Sequence, residues 1–168
     1  MITLYDEDAN PVGEVSRARM RAENLWHGCV LIFVRSLDGS RVYVHRRTDT
    51  KDIFPGLYDC SAGGVIDAGE APGPAAEREL AEELGVSGVP LKELFRTRYV
   101  DDRTRYHAWV YEVSTDGPFT HQPEEVASGG WMDLGELRRR IDDPDWPLVP
   151  DARAISREWL RTLVPGEG

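Results

Sequence analysis

The apolar residues of this chain fall into short runs with two different periods. "CVLIFVRS" (29–36) is continuous and rich in β-branched residues, the pattern of a strand buried on both faces, and the turn residues "LDGS" close it. "RVYVHRR" (41–47) then alternates, as the returning strand of a hairpin does. "LKELFRTRYV" and "RYHAWVYEV" form two more β runs around the turn "DDRT". At the start of the chain "MITLYDEDANPVGEV" reads as a small hairpin with Asn10-Pro11 and Gly13 in its turn. "SRARMRAENLWHG" after it is short, charged and partly helical.

Helical period appears in three other places. "AAERELAEELG" is built from good helix formers, and Gly85 stands where a C-cap belongs. "WMDLGELRRRI" starts a helix at the N-cap candidate Asp133 and repeats Leu134, Leu137 and Ile141 at helical spacing. A last helix, about 151–163, carries Ile155, Trp159, Leu160 and Leu163 on one side. "TDTKDIFPGLYDCSAGG" and "TDGPFTHQPEEVASGG" read as loops. Strands, one helix, more strands and two helices give an α/β chain with a mixed β-sheet flanked by helices, not an alternating parallel βαβ fold.

Charge narrows the function classes. Twenty basic against thirty acidic residues give a net charge of −10, which disfavours coating of a nucleic-acid polymer or an anionic membrane. A small phosphate-bearing substrate remains compatible if local Arg or bound cations reverse the field. Cys29 and Cys60 are the only cysteines and lack CxxC spacing. Cys29 lies inside an apolar run, so a free buried thiol and a reducing, cytoplasmic setting are expected. No basic-then-apolar leader or membrane-length apolar run is present in this sequence.

One cluster asks for an explanation. Glu79, Glu82 and Glu83 fall within five residues, and at ~100° per residue Glu82 and Glu83 lie within ~60° of Glu79 on the neighbouring turn, so the three share one helix face. Glu77 falls with the flank of Leu80 and Leu84. A solvated acidic face is the ordinary use of such a run, although like charges at these spacings repel. A divalent cation removes that cost, and Mg²⁺ or Mn²⁺ prefers oxygen ligands of this kind.

The spacing upstream carries a specific resemblance. From Gly64 to Val86 the chain reads G-x5-E-x7-R-E-U-x-E-E-x-G-U, with U aliphatic, and Glu70, Arg78, Glu79, Glu82, Glu83 and Gly85 occupy the fixed positions. This resembles the box of the Nudix hydrolase family in every fixed position. The resemblance implies a Nudix fold, an α/β/α sandwich whose loop–helix–loop motif binds Mg²⁺ or Mn²⁺ and cleaves a small-molecule diphosphate. It extends over most of the chain, so 1–168 is expected to form one Nudix domain, with 1–25 and 145–168 as extensions. It implies that Glu79, Glu82 and Glu83 bind metal together with the carbonyl of Gly63. Glu70 and Arg78 are implied as a salt bridge that, with Gly64, supports the site. Water is the expected nucleophile, and Glu124 or Glu125 in "PEEVASGGW" is a candidate general base beside the box glutamates.

"LWHGCVLIFV", "VHRRTDTKDIFPGLYDCSAGG" and "GPFTHQPEEVASGGWMDLGEL" are also similar to a branch near isopentenyl diphosphate isomerase, which shares the fold but does not hydrolyse. By motif alignment that enzyme's cysteine falls at Gly63 and a metal histidine at Val65. A second histidine falls near Met20, and its acidic residues near Thr104 and Tyr106. Only His27 matches, so isomerase activity is disfavoured. Arg47 and Lys51 match its diphosphate contacts and are expected to form a phosphate clamp, whereas Arg46 faces solvent on the alternating strand. Trp26, Phe54, Tyr58, Tyr99, His107 and Trp109 are read as core, with stacking on a nucleotide base left open. A nucleotide-binding module without catalysis and association as a homodimer are both left open.

Overall fold

The computed structural model describes residues 1–163; residues 164–168 of the expected C-terminal extension lie outside the described residues. In chain order the elements are β1 (Ile2–Tyr5), β2 (Pro11–Val15), α1 (Arg17–Ala22), β3 (His27–Arg35), β4 (Arg41–Arg47), β5 (Tyr58–Asp59) and β6 (Ala62–Val65). Then come α2 (Pro72–Leu84), β7 (Lys92–Val100), β8 (Arg105–Ser114), β9 (Val126–Asp133), α3 (Leu134–Arg140) and α4 (Pro150–Thr162).

β3 is the spine. It runs parallel to β8 from His27↔Tyr106 to Arg35↔Ser114, and β8 in turn pairs antiparallel with β7. Its side chains alternate between two cores. Cys29, Leu31 and Phe33 face one, Val30, Ile32 and Val34 the other, which is why this strand is apolar without interruption. On the first face α4 lays down Ile155, Trp159 and Leu160, α3 adds Leu134 and Leu137, and α1 adds Met20. On the second, α2 packs through Ala75, Ala76, Leu80 and Leu84. The result is helices on both faces of a mixed sheet, as the sequence led one to expect. Glu77 is exposed and does not join the leucines' flank.

The other edge of β3 is shared. β6 pairs antiparallel with its first half, from Cys29↔Val65 to Ile32↔Ala62, whereas β4 meets it at Arg35↔Val42. β9 pairs along β4 from Arg41↔Asp133 to Arg47↔Val126, and β5 pairs with it at His45 and Arg46. The sheet therefore splits into two wings joined at one end, and a cleft opens between them.

Both stretches read as loops contain strands: β5 and β6 in the first, and the beginning of β9 in the second. Glycine hides β6 and the start of β9, because its β propensity is low and it leaves no side-chain alternation to read, and β5 is only two residues long. Both close approaches need it. A Cβ on Gly63 would lie 2.1 Å from the Val30 carbonyl oxygen, and one on Gly129 would lie 2.6 Å from the Tyr43 hydroxyl. The N-terminal turn also differs from expectation. Pro11 and Gly13 belong to β2, and the turn is fixed by Asp6 Oδ1 accepting from Asp8 N (3.0 Å) and Asn10 N (2.8 Å). Asp133 does occupy the N-cap of α3, but its side chain makes no capping bond. Cys29 and Cys60 are free and buried, and burial pushes both thiols up to about 12. Among the described residues no helix is long and apolar enough to cross a membrane.

Trp159 ties the first core together. It is 0% exposed, stacks on Phe33 with ring centroids 4.3 Å apart, and its Nε1 donates to Glu112 Oε2 at 2.8 Å. Trp159→Ala is expected to cost about 3–5 kcal/mol in urea unfolding, and a loss below about 1 kcal/mol would contradict this packing.

Candidate active site

α2 begins with Pro72 in its first turn and ends on Gly85, whose φ of 67° is the left-handed C-cap conformation that glycine reaches without strain. Between these stops the alanines and leucines turn one stripe to the sheet, and Glu79 and Glu83 lie at the edge of that stripe. Both are buried, at 8% and 5% exposure, while Glu82 is exposed. Beneath them β6 presents the bare backbone of Gly63 and Gly64. Gly63 N donates to Glu83 Oε2 at 3.1 Å, and a Cβ on Gly64 would lie 2.4 Å from Glu79 Oε1. The two glycines thus clear the space that two carboxylates fill.

Arg78 fixes the loop that leads into α2. Its Nε and Nη2 donate to the two oxygens of Glu70, each at 2.9 Å, and Nη2 also reaches the Val65 carbonyl at 3.3 Å. Glu70 Oε2 accepts from Asp67 N as well. The bidentate Arg78 contact holds the Glu70 carboxyl below its ordinary range. The remaining nitrogen, Nη1, donates to Glu79 Oε1 at 2.6 Å and lies 3.4 Å from Glu82 Oε2. Arg78 therefore joins the loop acid to the helix acids.

Burial dominates the electrostatics. Desolvation raises Glu79, against the pull of Arg78, and raises Glu83 to about 8, against the Gly63 N–H. A buried acidic pair of this kind favours a cation, and its donors are all oxygens, the chemistry that suits a hard divalent ion. Among the described residues no three Asp, Glu, His or Cys side chains are already gathered at coordinating geometry. Arg78 Nη1 supplies the positive charge between Glu79 and Glu82 in this arrangement.

These carboxylates open into a cavity of about 460 Å³ in the cleft between the two wings. Glu124 and Glu125 reach its rim. Glu124 is exposed, whereas Glu125 is half-buried and ion-paired with Lys51 Nζ. Thr48 fastens this segment, donating from N to Glu125 O at 3.2 Å and from Oγ1 to Glu124 O at 2.9 Å. Arg47 also lines the cavity, but its Nε and Nη2 hold the carbonyls of Ile53 and Phe54 at 2.8 to 3.2 Å. Phe54 has φ 52°, a costly value for an aromatic residue, and Arg47 holds that turn closed. Arg46 is half-exposed and bonds Gly56 O and Asp49. Of the aromatic candidates, Phe54, His107 and Trp109 are buried and Trp26, Tyr58 and Tyr99 partly so. His107 Nε2 is 2.8 Å from Asp6 O and its ring stacks on Trp26, and neither residue lines the cavity.

Other cavity residues escaped the sequence reading. Arg17 and Arg21 enter from α1, and Asp59, Tyr106 and Asp151 form the deep end. Asp151 Oδ2 accepts from the Tyr106 hydroxyl at 2.7 Å, and Asp59 Oδ2 lies 3.8 Å from Arg47 Nη1. Asp151 is the first-turn acid of α4, a position any helix favours, so its sequence context carries no sign of a site.

With this geometry in view, the NUDIX domain family model matches residues 25–152. The chain belongs to the Nudix hydrolase family. It is 42% identical to an uncharacterized Nudix hydrolase, orf19, of Rhodococcus erythropolis, covering 95% of this chain and 91% of the relative. It is also 42% identical to an uncharacterized Nudix hydrolase of Streptomyces coelicolor, over 99% and 93%. Among solved structures, DR0079 from Deinococcus radiodurans superimposes with a TM-score of 0.76 at 26% identity, covering 93% of this chain and 97% of that one. These relatives carry the Nudix fold assignment over nearly the whole chain.

Burial, then the neighbouring Asp59, raises Asp151 from 3.8 to about 6. The folded state then binds more protons than the unfolded chain across that interval, so this residue's contribution to stability falls as pH rises from about 4 to 6. Asp151→Asn should remove the fall. Its stability relative to wild type is expected to improve over that window by on the order of 2–3 kcal/mol, measured by denaturant unfolding at several pH values. Parallel curves for the two proteins would show that Asp151 does not titrate in this way.

Proposed function

We propose that the chain is a divalent-metal-dependent diphosphatase that cleaves a P–O–P bridge in a small-molecule substrate by attack of water. The observation that carries this reading is the pair of buried carboxylates, Glu79 and Glu83, set against a glycine strand at the mouth of a cavity. Glu79, Glu82 and Glu83, with the carbonyl of Gly63, would hold Mg²⁺ or Mn²⁺. Bound there, the cation would supply the charge that lets a diphosphate approach an acidic face and that makes water a better nucleophile.

The chain's own residues have separate tasks in this reading. Arg78, anchored on Glu70, keeps the helix acids in register with the loop. Glu125 accepts the proton of the attacking water, and Lys51 orients its carboxylate. Glu124 is the weaker candidate, because it is exposed and has only its carbonyl tied down. Water's oxygen forms the new bond to phosphorus, the bridging P–O bond breaks, and the proton leaves through Glu125.

Two readings compete. An isomerase of the related branch needs a reactive cysteine at position 63, where the close approach to Val30 excludes any side chain. The two cysteines present are buried, with thiols held far above neutral pH. A nucleotide-sensing module without turnover would bind ligand and release no phosphate.

The test is a phosphate-release screen over nucleoside diphosphates and triphosphates, nucleotide sugars, dinucleotides and isoprenoid diphosphates with Mg²⁺ and Mn²⁺. Glu83→Gln and Glu79→Gln are expected to lower kcat by two or more orders of magnitude, ~3 kcal/mol in the barrier, with the fold intact. Glu125→Gln should lower kcat about a hundredfold and more than Glu124→Gln does. Wild-type turnover in the Glu83 and Glu79 variants would remove this mechanism, and saturable binding without release would favour the sensing module.

A further inference from the structure

Five cationic side chains line the cavity, and three of them are already engaged. Arg78 is held by Glu70 and Glu79. Arg47 holds the carbonyls of Ile53 and Phe54, and Lys51 is paired with Glu125. The other two, Arg17 and Arg21, stand one turn apart on α1, so they project from the same side of the helix. Their acidic neighbours hold them loosely. Arg17 Nη2 lies 3.9 Å from the exposed Asp67, a distance too long for a hydrogen bond. Arg21 Nε lies 3.3 Å from Asp52 Oδ2 and, although buried, has no hydrogen-bond partner.

A buried guanidinium N–H without an acceptor is costly unless something else supplies one. Arg19 shows the contrast within the same helix. It donates to Glu23 at 2.7 Å, is mostly exposed, and does not reach the cavity. Arg17 and Arg21 line the same cavity as Glu79, Glu82 and Glu83. Both arginines precede the segment matched by the family model, which begins at residue 25. They are therefore a property of this chain's N-terminal segment.

Resting on the diphosphatase reading, we propose that Arg17 and Arg21 are specificity-determining residues that hold the terminal phosphate of the substrate. They would select terminal diphosphates, R–O–P–O–P, over diphosphates esterified at both ends. Two guanidinium forks match the three free oxygens of a terminal phosphoryl group better than the two free oxygens on each phosphorus of a doubly esterified diphosphate. The terminal group also carries the larger charge, which suits a pair of cations in the cavity that the acidic helix lines.

The first measurement is calorimetric binding of imidodiphosphate, a non-hydrolysable terminal diphosphate, to the full chain with Mg²⁺. Arg17→Ala and Arg21→Ala are each expected to weaken binding about tenfold. Arg21→Lys should recover part of the loss, and Arg19→Ala should stay within about twofold of wild type. The Arg19 variant controls for loss of charge and of helix stability in α1. The second measurement compares kcat/KM for ADP and for ADP-ribose, whose diphosphate is esterified at both ends. Removal of either cavity arginine should lower the ADP value and leave the ADP-ribose value nearly unchanged.

Absence of imidodiphosphate binding, equal losses in the Arg19 and cavity variants, or equal losses for the two substrates would each overturn the proposal. Arginine-dependent binding with no hydrolysis of any diphosphate would sink the diphosphatase reading and leave the clamp standing. Hydrolysis indifferent to both arginines would do the reverse.

Discussion

Two carboxylates lie buried against the two glycines at the centre of β6, and the rest of the site depends on that contact. Glu83 accepts from the Gly63 backbone, and Glu79 occupies the volume a side chain on Gly64 would take. Burying acids is expensive, and both carboxyls answer by shifting upward. The helix can hold them there because Ala75, Ala76, Leu80 and Leu84 anchor it to the sheet on the adjoining stripe. Apolar burial thus positions a polar face that would not settle against the sheet unaided.

The cavity has an equally simple origin. β3 pairs with β6 on the edge where a plain hairpin would have β4, and β4 is left to pair with β5 and β9. The wings diverge from Arg35↔Val42, and the space between them receives groups from both. Loops then close it. Arg47 holds the strained turn at Phe54, and Thr48 fastens the backbone of Glu124 and Glu125. The far end of that loop is tied to the acidic helix itself, through Thr120 N to Leu84 O at 2.9 Å and Gln122 N to Glu83 O at 3.1 Å. These bonds satisfy carbonyls at the end of α2 that lack partners within the helix. The candidate base and the candidate metal face are therefore parts of one hydrogen-bonded unit.

Legibility followed from how each element is encoded. β3, β4, β7, β8 and the helices were readable because apolar period and burial coincide in them. β6 and the start of β9 were not, since glycine chosen for close approach carries no period. The acidic face was readable as well, because Glu70, Arg78, Glu79, Glu82 and Glu83 lie close together at fixed spacing. Residues brought to the cavity from afar, Arg17, Arg21, Asp59, Tyr106 and Asp151, had no local pattern that distinguished them from surface or cap residues. Arg47 and Lys51 came from the resemblance to the isomerase's diphosphate contacts, yet that resemblance could not show that a turn and Glu125 already engage them.

The charge balance makes sense of these placements. A chain with net charge −10 presents a repulsive field to any diphosphate. Long-range attraction cannot gather such a substrate, so the favourable interaction has to be local. The structure concentrates cations where acids also concentrate: Arg78 between Glu70 and Glu79, Lys51 on Glu125, Arg47 near Asp59. Each of these pairs is internally matched, and a matched pair attracts an incoming anion weakly. A diphosphate therefore needs charge that is not yet neutralised, and the site can obtain it from a divalent cation on the buried acids and from the loosely held arginines of α1. The acidic surface and the ion-paired interior together confine strong anion binding to the one place where both come within reach.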